Sequence, residues 1–365
     1  MEVICSECNT RKELTPQHWH CDCGGAWEPI LLDRYEIAPS DFSIWRYRKM
    51  FGVDFEAPIV QMGMTRTPLL PVQVAGREVH LKLEYMTPTA SFKDRGTTVM
   101  INILANQGVG HVIEDSSGNA GASVAAYAAR AGMKADIFVP ASASPAKQAQ
   151  IAVYGATIHP IPGLRAAAKE AAFDAAKGDR ALASHAYHPG FLLGLQSEAW
   201  EIYEQLDGKA PDWYVVPVGQ GVHLLGVWLG FCLLKRVGLI SKVPRIAAVQ
   251  PILLSPIKKA FDAGLDFVSS LEATQPSVAE GLAIASPVRG KRILQAIRES
   301  NGMCITVEEA EILASQKQAA RMGFYIEPTS ATVIAALPSV YKFSAPGDCI
   351  VLPLTGSGLK GSPRV

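Results

Sequence analysis

From about residue 58 onward the chain switches repeatedly between short apolar, β-branched runs and alanine- or leucine-rich segments with helical spacing. That alternation constrains the fold more than any other feature. A strand that is followed by a helix before the next strand builds a largely parallel sheet covered by helices. Residues 79–83 (V-H-L-K-L), 112–114, 135–139, 157–160, 213–218, 245–250 and 349–354 read as strands. Residues 91–107, 120–131, 145–154, 166–176, 198–206, 224–237, 310–321 and 331–337 read as helices, with Gly108 and Gly132 as stops. No internal repeat or low-complexity tract interrupts the pattern. The expected architecture is α/β, and 365 residues suggest two or more domains.

A formal net charge of zero with no basic patch argues against a nucleic-acid partner. The most apolar run, 221–234, contains His223 and is shorter than the roughly 20 residues of a membrane span, so it reads as a buried helix. Residues 1–11 lack the apolar core of a signal peptide, and the expected compartment is the cytoplasm. Four of the seven cysteines, Cys5, Cys8, Cys21 and Cys23, fall in the first 23 residues. C-S-E-C followed by C-D-C-G-G resembles a zinc ribbon, in which paired thiolates on two tight turns complete a tetrahedral site. The second pair is C-x-C, and His18 and His20 are alternative ligands. A knuckle without metal is the competing reading. Cys232, Cys304 and Cys349 read as small core residues.

Four segments carry chemistry. In T-P-T-A-S-F-K-D-R-G, residues 87–96, a turn delivers Lys93 to the start of a helix. An ordinary lysine, with a pKa of about 10.4, is a poor nucleophile. A helix N-terminus and partial burial beside Phe92 both disfavour its charged form, which is how a lysine becomes able to condense with an aldehyde. Taken alone, a solvated lysine paired with Asp94 explains the motif equally well. S-S-G-N-A-G, residues 116–121, places a glycine turn between a strand and a helix, where backbone N–H groups meet an anion; a plain helix cap would use the same residues. G-Q-G, Gly219 to Gly221, follows a buried strand and suits a phosphate. T-G-S-G-L-K, residues 355–360, follows another apolar strand.

S-F-K-D-R-G, S-S-G-N-A-G-A-S, V-G-Q-G, E-P-T-S-A (327–331) and T-G-S-G-L-K occur in the order found in the threonine synthase-like enzymes dependent on pyridoxal phosphate (PLP). This is the fold type II, tryptophan synthase β-like group, and the resemblance runs from about residue 58 to the C-terminus. It implies two doubly wound open-sheet domains with the cofactor in the cleft between them, plus the small N-terminal cysteine ribbon. The implied boundaries are 1–30 for the ribbon, 58–96 with 206–365 for the large cofactor-binding domain, and 97–205 for a smaller mobile domain. Lys93 resembles the catalytic Schiff-base lysine, and Asn119 the partner of the PLP 3′ oxygen. Gly219, Gln220, Gly221, Val222 and His223 match the phosphate loop, and Thr355 the hydroxyl facing the ring nitrogen. Thr89, Ser116, Ser117 and Ala120 fall at substrate-contacting positions. Glu280 and Gly281 match a loop near the cofactor. The same resemblance implies a homodimer, and structural zinc is the candidate metal of the ribbon.

The pattern departs from threonine synthases where a substrate phosphate would be held. P-G-L-R (162–165) and H-P-G-F-L-L-G-L-Q-S (188–197) stand where the family carries polar and cationic residues. Lys82, Thr89, Lys147 and Arg165 are the remaining candidates for that contact. The resemblance thus implies elimination or replacement on an amino acid, with phosphohomoserine-to-threonine conversion first. A serine/threonine dehydratase-like lyase or β-replacement enzyme is the alternative, and a non-catalytic scaffold on the same fold is the third.

Overall fold

The computed structural model describes residues 1–55, 59–143, 145–163, 165–272 and 275–360, with the backbone alone at 146 and 147. In chain order the first elements are β1 (Glu2–Cys5), β2 (Arg11–Glu13), β3 (Trp27–Pro29), β4 (Leu69–Val74), β5 (Arg77–Lys82), α1 (Lys93–Asn106), β6 (His111–Glu114) and α2 (Asn119–Arg130). Next come β7 (Lys134–Pro140), α3 (Pro145–Ala152), β8 (Thr157–Ile161), α4 (Arg165–Ala175), β9 (Arg180–Leu182), α5 (Pro189–Gln205), β10 (Trp213–Pro217) and α6 (Val222–Arg236). The last are β11 (Arg245–Pro251), α7 (Pro256–Asp262), α8 (Gly290–Glu299), β12 (Met303–Val307), α9 (Glu309–Arg321), α10 (Pro328–Ala335), α11 (Leu337–Tyr341) and β13 (Ile350–Pro353). The chain divides into two compact units: Met1–Arg66 with Thr87–Leu195 and Lys360, and Thr67–Met86 with Gln196–Leu359.

The first unit is built on a four-stranded sheet of order β8-β7-β6-β9, parallel throughout. Small side chains let its helices approach closely. Gly96 on α1 has Phe191 where a Cβ would lie, 2.5 Å from the ring, and a Cβ on Gly194 would lie 1.9 Å from the Arg95 carbonyl oxygen. Only glycine permits these approaches, and they explain why α5 starts at Pro189 rather than near residue 198. Residues that read as helix breakers are contact points. The antiparallel ribbon β2-β1-β3 docks on the same unit through Trp19, whose ring lies 4.3 Å from Phe173 and 5.0 Å from Tyr187.

The second unit holds a six-stranded sheet of order β12-β11-β10-β13-β5-β4. Only β4, at the edge, runs antiparallel to its neighbour, and it carries Pro71 opposite His80. Val79, Leu81, Val215, Val249 and Leu352 form the sheet's core face. The apolar run at 221–234 is α6, buried along nearly its whole length. Among the described residues no helix is long and apolar enough to cross a membrane.

Lys82 ends β5 fully buried, and its ammonium donates to Glu201 at 2.7 Å, the Thr67 carbonyl at 2.8 Å and Gln205 at 2.9 Å. This overturns the expectation that Lys82 could meet a substrate phosphate, since its three donors are all used. The pair is enclosed in the second unit, so removing one charge strands the other. Glu201→Gln should cost about 3–5 kcal/mol, read as a lower urea midpoint with unchanged slope. An unshifted midpoint would show that the pair is not a stabilising contact.

Candidate active site

Lys93 is the first residue of α1. It is partly buried, with its Nζ 4.4 Å from the Phe92 ring centre and 5.7 Å from that of Phe191. The adjacent Asp94 is fully buried. It accepts hydrogen bonds from the Thr89 backbone N–H, the Thr89 hydroxyl and the Ser123 hydroxyl, each at 2.6 Å. Burial pushes the Asp94 carboxyl up, and these donors oppose that shift. Lys360 Nζ donates to the Thr89 carbonyl at 2.6 Å. Ser123 lies on α2, so one carboxylate ties the turn before α1 to α2. The Thr89 hydroxyl, expected at the substrate, is committed to Asp94.

Asn119 is the first residue of α2. In the turn before it the Gly118 N–H faces the Ser116 hydroxyl at 3.3 Å. A Cβ on Gly121 would lie 1.9 Å from the Ser116 carbonyl oxygen, so the turn folds back on its own helix only with glycine there. Ser117 and Asn119 are half-buried. Ala120 is buried and has only its backbone N–H to offer a ligand.

Sequence reasoning missed a polar cluster beside this turn. Glu114 ends β6 and Asp115 follows it, while His185 comes just after β9. His185 Nδ1 and Glu114 Oε1 are 2.6 Å apart, and the His185 N–H reaches Glu114 Oε2 at 3.3 Å. One side-chain nitrogen or oxygen from each of the three residues lies within 4.8 Å of the others. Asp115 Oδ1 is buried without a hydrogen-bond partner among the described residues. Burial raises Glu114 to about 8 against the opposing effects of the His185 N–H, Lys93 and Arg165. Burial, then the Lys93 field, pushes His185 well below its usual value. The available signal was two acids, E-D, at a strand end directly before S-S-G-N.

In the second unit four segments that are far apart in sequence interlock. Gly221, with φ of 76°, caps α6, whose first-turn N–H groups have no partner within the helix and can receive an anion. A Cβ on Gly219 would lie 2.8 Å from the Gly281 carbonyl oxygen, one on Gly281 3.0 Å from Thr329 Oγ1, and one on Gly356 2.4 Å from the Glu327 carboxyl carbon. Thr355 and Ser330 share a 2.9 Å hydroxyl contact. Gln220 turns its side chain to accept the Val288 N–H at 3.2 Å. His223 points its Nε2 at Glu198, 2.6 Å away, and at the Tyr214 hydroxyl. Within the loop 219–223, therefore, the backbone rather than the His223 ring is suited to an anion.

In the ribbon the sulfurs of Cys5, Cys8, Cys21 and Cys23 lie within 4.8 Å of one another, with separations such as 3.4 Å for Cys5 to Cys23 and 3.6 Å for Cys8 to Cys21. Tetrahedral zinc with Zn–S bonds of about 2.3 Å needs sulfurs about 3.8 Å apart. A Cβ on Gly25 would lie 2.6 Å from Cys5 Sγ, which explains the glycines after the second pair. His18 and His20 turn to Thr15 and the Cys21 carbonyl and stand outside the cluster.

A lysine at one helix start, an asparagine amide at another, a glycine-lined helix N-terminus and a buried hydroxyl form a donor set that fits an aldehyde-bearing aromatic phosphate. Residues 60–356 match the family of pyridoxal-phosphate dependent enzymes. The chain is 31% identical to "Threonine synthase" of Methanocaldococcus jannaschii over 98% of its own length and 92% of that protein. It is 33% identical to "Threonine synthase" of Synechocystis over 86% and 82%. A solved structure of a threonine deaminase, from the organism its title abbreviates as T.th., superposes with a TM-score of 0.70 at 26% identity, covering 82% of this chain and 94% of that one. A second, "Structure of maize serine racemase", gives 0.70 at 23% identity, covering 80% and 88%. The chain belongs to the PLP-dependent enzymes of fold type II, and within them to the threonine synthase-like lyases.

The Gly121 contact gives a direct test. Gly121→Ala should destabilise the protein by at least about 3 kcal/mol, the upper end for overpacking, and weaken cofactor retention on dialysis. Gly118→Ala, where nothing lies within 4 Å of the added carbon, should cost less by both measures. Equal effects would show that the Ser116–Gly121 contact does not hold the turn.

Proposed function

We propose that the chain binds PLP through Lys93 and catalyses elimination or replacement at the side chain of a small amino acid. The observation that carries this is the placement of Lys93 and Asn119 as first residues of α1 and α2, with Asp94 tying the turn before α1 to α2. Lys93 would hold the cofactor's aldehyde and move the proton at the substrate carbon. The cofactor would supply a sink for negative charge on that carbon. Asn119, the backbone of Gly219, Gln220, Gly221, Val222 and His223, and Thr355 would hold its oxygen, phosphate and ring nitrogen. A neutral hydroxyl at the ring nitrogen favours elimination over transamination. Ser116, Ser117 and the Ala120 N–H would meet the substrate carboxylate. Cytoplasmic location and a homodimer belong to the same reading.

Two substrates are compatible with it: phosphohomoserine, by analogy with the relatives called threonine synthase, and an unphosphorylated hydroxy-amino acid, by analogy with the neighbour titled threonine deaminase. The enclosure of Lys82 and the burial of Phe191, Leu192, Leu193 and Leu195 favour the second. Arg165, exposed at the start of α4, is the candidate for a phosphate contact; the Lys147 side chain lies outside the described residues. Phosphate release from phosphohomoserine, against 2-oxo acid and ammonia from serine or threonine, distinguishes them.

The purified enzyme should show a near-visible absorbance band that borohydride removes, and Lys93→Ala should lack it. An unchanged band in that variant would put the attachment elsewhere. We also propose structural zinc on Cys5, Cys8, Cys21 and Cys23. Metal analysis should find about one zinc per chain, the complement of a single four-sulfur site. A folded, metal-free protein would make the knuckle self-sufficient.

A further inference from the structure

Strands β6 and β9 are adjacent and parallel, and open α/β sheets bind ligands outside the carboxyl ends of such strands. At those ends stand Glu114 and His185. Lys93 Nζ lies 5.7 Å from the centre of the Phe191 ring, and the His185 ring lies 6.0 Å from the same centre. The missing Cβ of Gly96 admits that ring. The lysine and the imidazole therefore pack on one aromatic side chain, next to the turn that carries Ser116 and Ser117.

We propose that His185 is a catalytic proton donor to the departing oxygen of the substrate, with Glu114 as the positioning residue that reloads it, so that the leaving group is a hydroxyl and not a phosphate. The proposal rests on the elimination reading and names its substrate class: a hydroxy-amino acid.

Hydroxide is a poor leaving group and needs a proton as its C–O bond breaks; phosphate departs without one. Held at about 8 by burial, Glu114 is mostly a neutral acid at pH 7. Its proton lies in the 2.6 Å contact with Nδ1, which fixes the tautomer with hydrogen on Nε2. Among the described residues no bond to Nε2 is formed. When the C–O bond breaks, its electron pair stays on oxygen. The Nε2–H bond breaks, an O–H bond forms, and water leaves. Nδ1 then takes the Glu114 proton, so the pair ends as neutral imidazole and carboxylate, one proton short. The proton that Lys93 removes from the substrate carbon balances the loss once passed back through solvent. The charged groups facing the pair are Lys93 from α1, Asp115 beside it, and Arg165 and Lys169 from α4. Lys93 and Arg165 favour the carboxylate formed in the step, and Asp115 opposes it. A buried Glu–His pair with only a structural role would share the geometry but not the kinetics.

The test is steady-state kinetics of the full-length holoenzyme with L-serine, L-threonine and O-phospho-L-homoserine between about pH 6 and pH 10. With a hydroxy-amino acid, kcat should fall as pH rises through about 8, because the donor form of Glu114 is lost above its pKa. Glu114→Gln should lower kcat by about 10²-fold or more, leave KM within about threefold, and flatten that limb. His185→Asn should do the same, and it decides the matter if Glu114→Gln does not fold. Turnover of phosphohomoserine alone, an unchanged kcat in the variants, or a loss confined to KM would overturn the proposal. Lack of a Lys93-dependent absorbance band in the wild type would sink the elimination reading itself. A normal band with variants that keep the wild-type pH profile would sink only the donor role.

Discussion

Much of the first unit's chemistry depends on one buried carboxylate. Asp94 has no exposure and three donors at 2.6 Å. An ionised or half-satisfied carboxyl in that position would be costly, so the donors and the fold require each other. Because Asp94 follows Lys93 directly, whatever fixes its carboxyl also fixes the backbone that aims the lysine. Because one donor is Ser123 on α2, the helix that begins with Asn119 is aligned by the same group. Reactive residues on two helices thus share one reference point that itself takes no part in the chemistry.

Close backbone approach is the second constraint. The contacts at Gly96, Gly121 and Gly194 in the first unit, and at Gly219, Gly281 and Gly356 in the second, leave no room for a Cβ. Interiors pack at crystal-like density, so each missing methyl is a place where another segment's oxygen or ring has been seated. In the second unit this turns three loops from different parts of the chain into one wall. The segment E-P-T-S-A contributes both Ser330, bonded to Thr355, and Thr329, against Gly281.

The alternation of strands and helices was legible because each segment carried its own period, and most boundaries fall within two or three residues of the pattern. Lys93 opens its helix as T-P-T-A-S directs. The elements that escaped notice had weak local signals: β9 is Arg-Ala-Leu, β2 is Arg-Lys-Glu, and the ribbon strands are short. The helix α8, G-K-R-I-L-Q-A-I-R-E, was readable in principle from Ile293, Leu294 and Ile297, all buried. The start of α5 was hidden by Pro189, Gly190 and Gly194, whose helical state depends on what they pack against. Pairings distant in sequence left no trace: Glu114 meets His185 across 71 positions and Lys82 meets Glu201 across 119. In V-H-L-K-L nothing local says that the lysine points inward.

The edge strand β4 bears on how the protein behaves at high concentration. A β-sheet that ends in an open row of N–H and C=O groups is a template for further strands, and repeated addition gives insoluble fibres. Pro71 sits within that row and has no N–H to give, so an incoming strand meets a gap in the ladder. With Leu70 the large apolar side chain exposed there, this one ring helps keep a Leu-Leu-Pro-Val strand from becoming sticky when many copies crowd together.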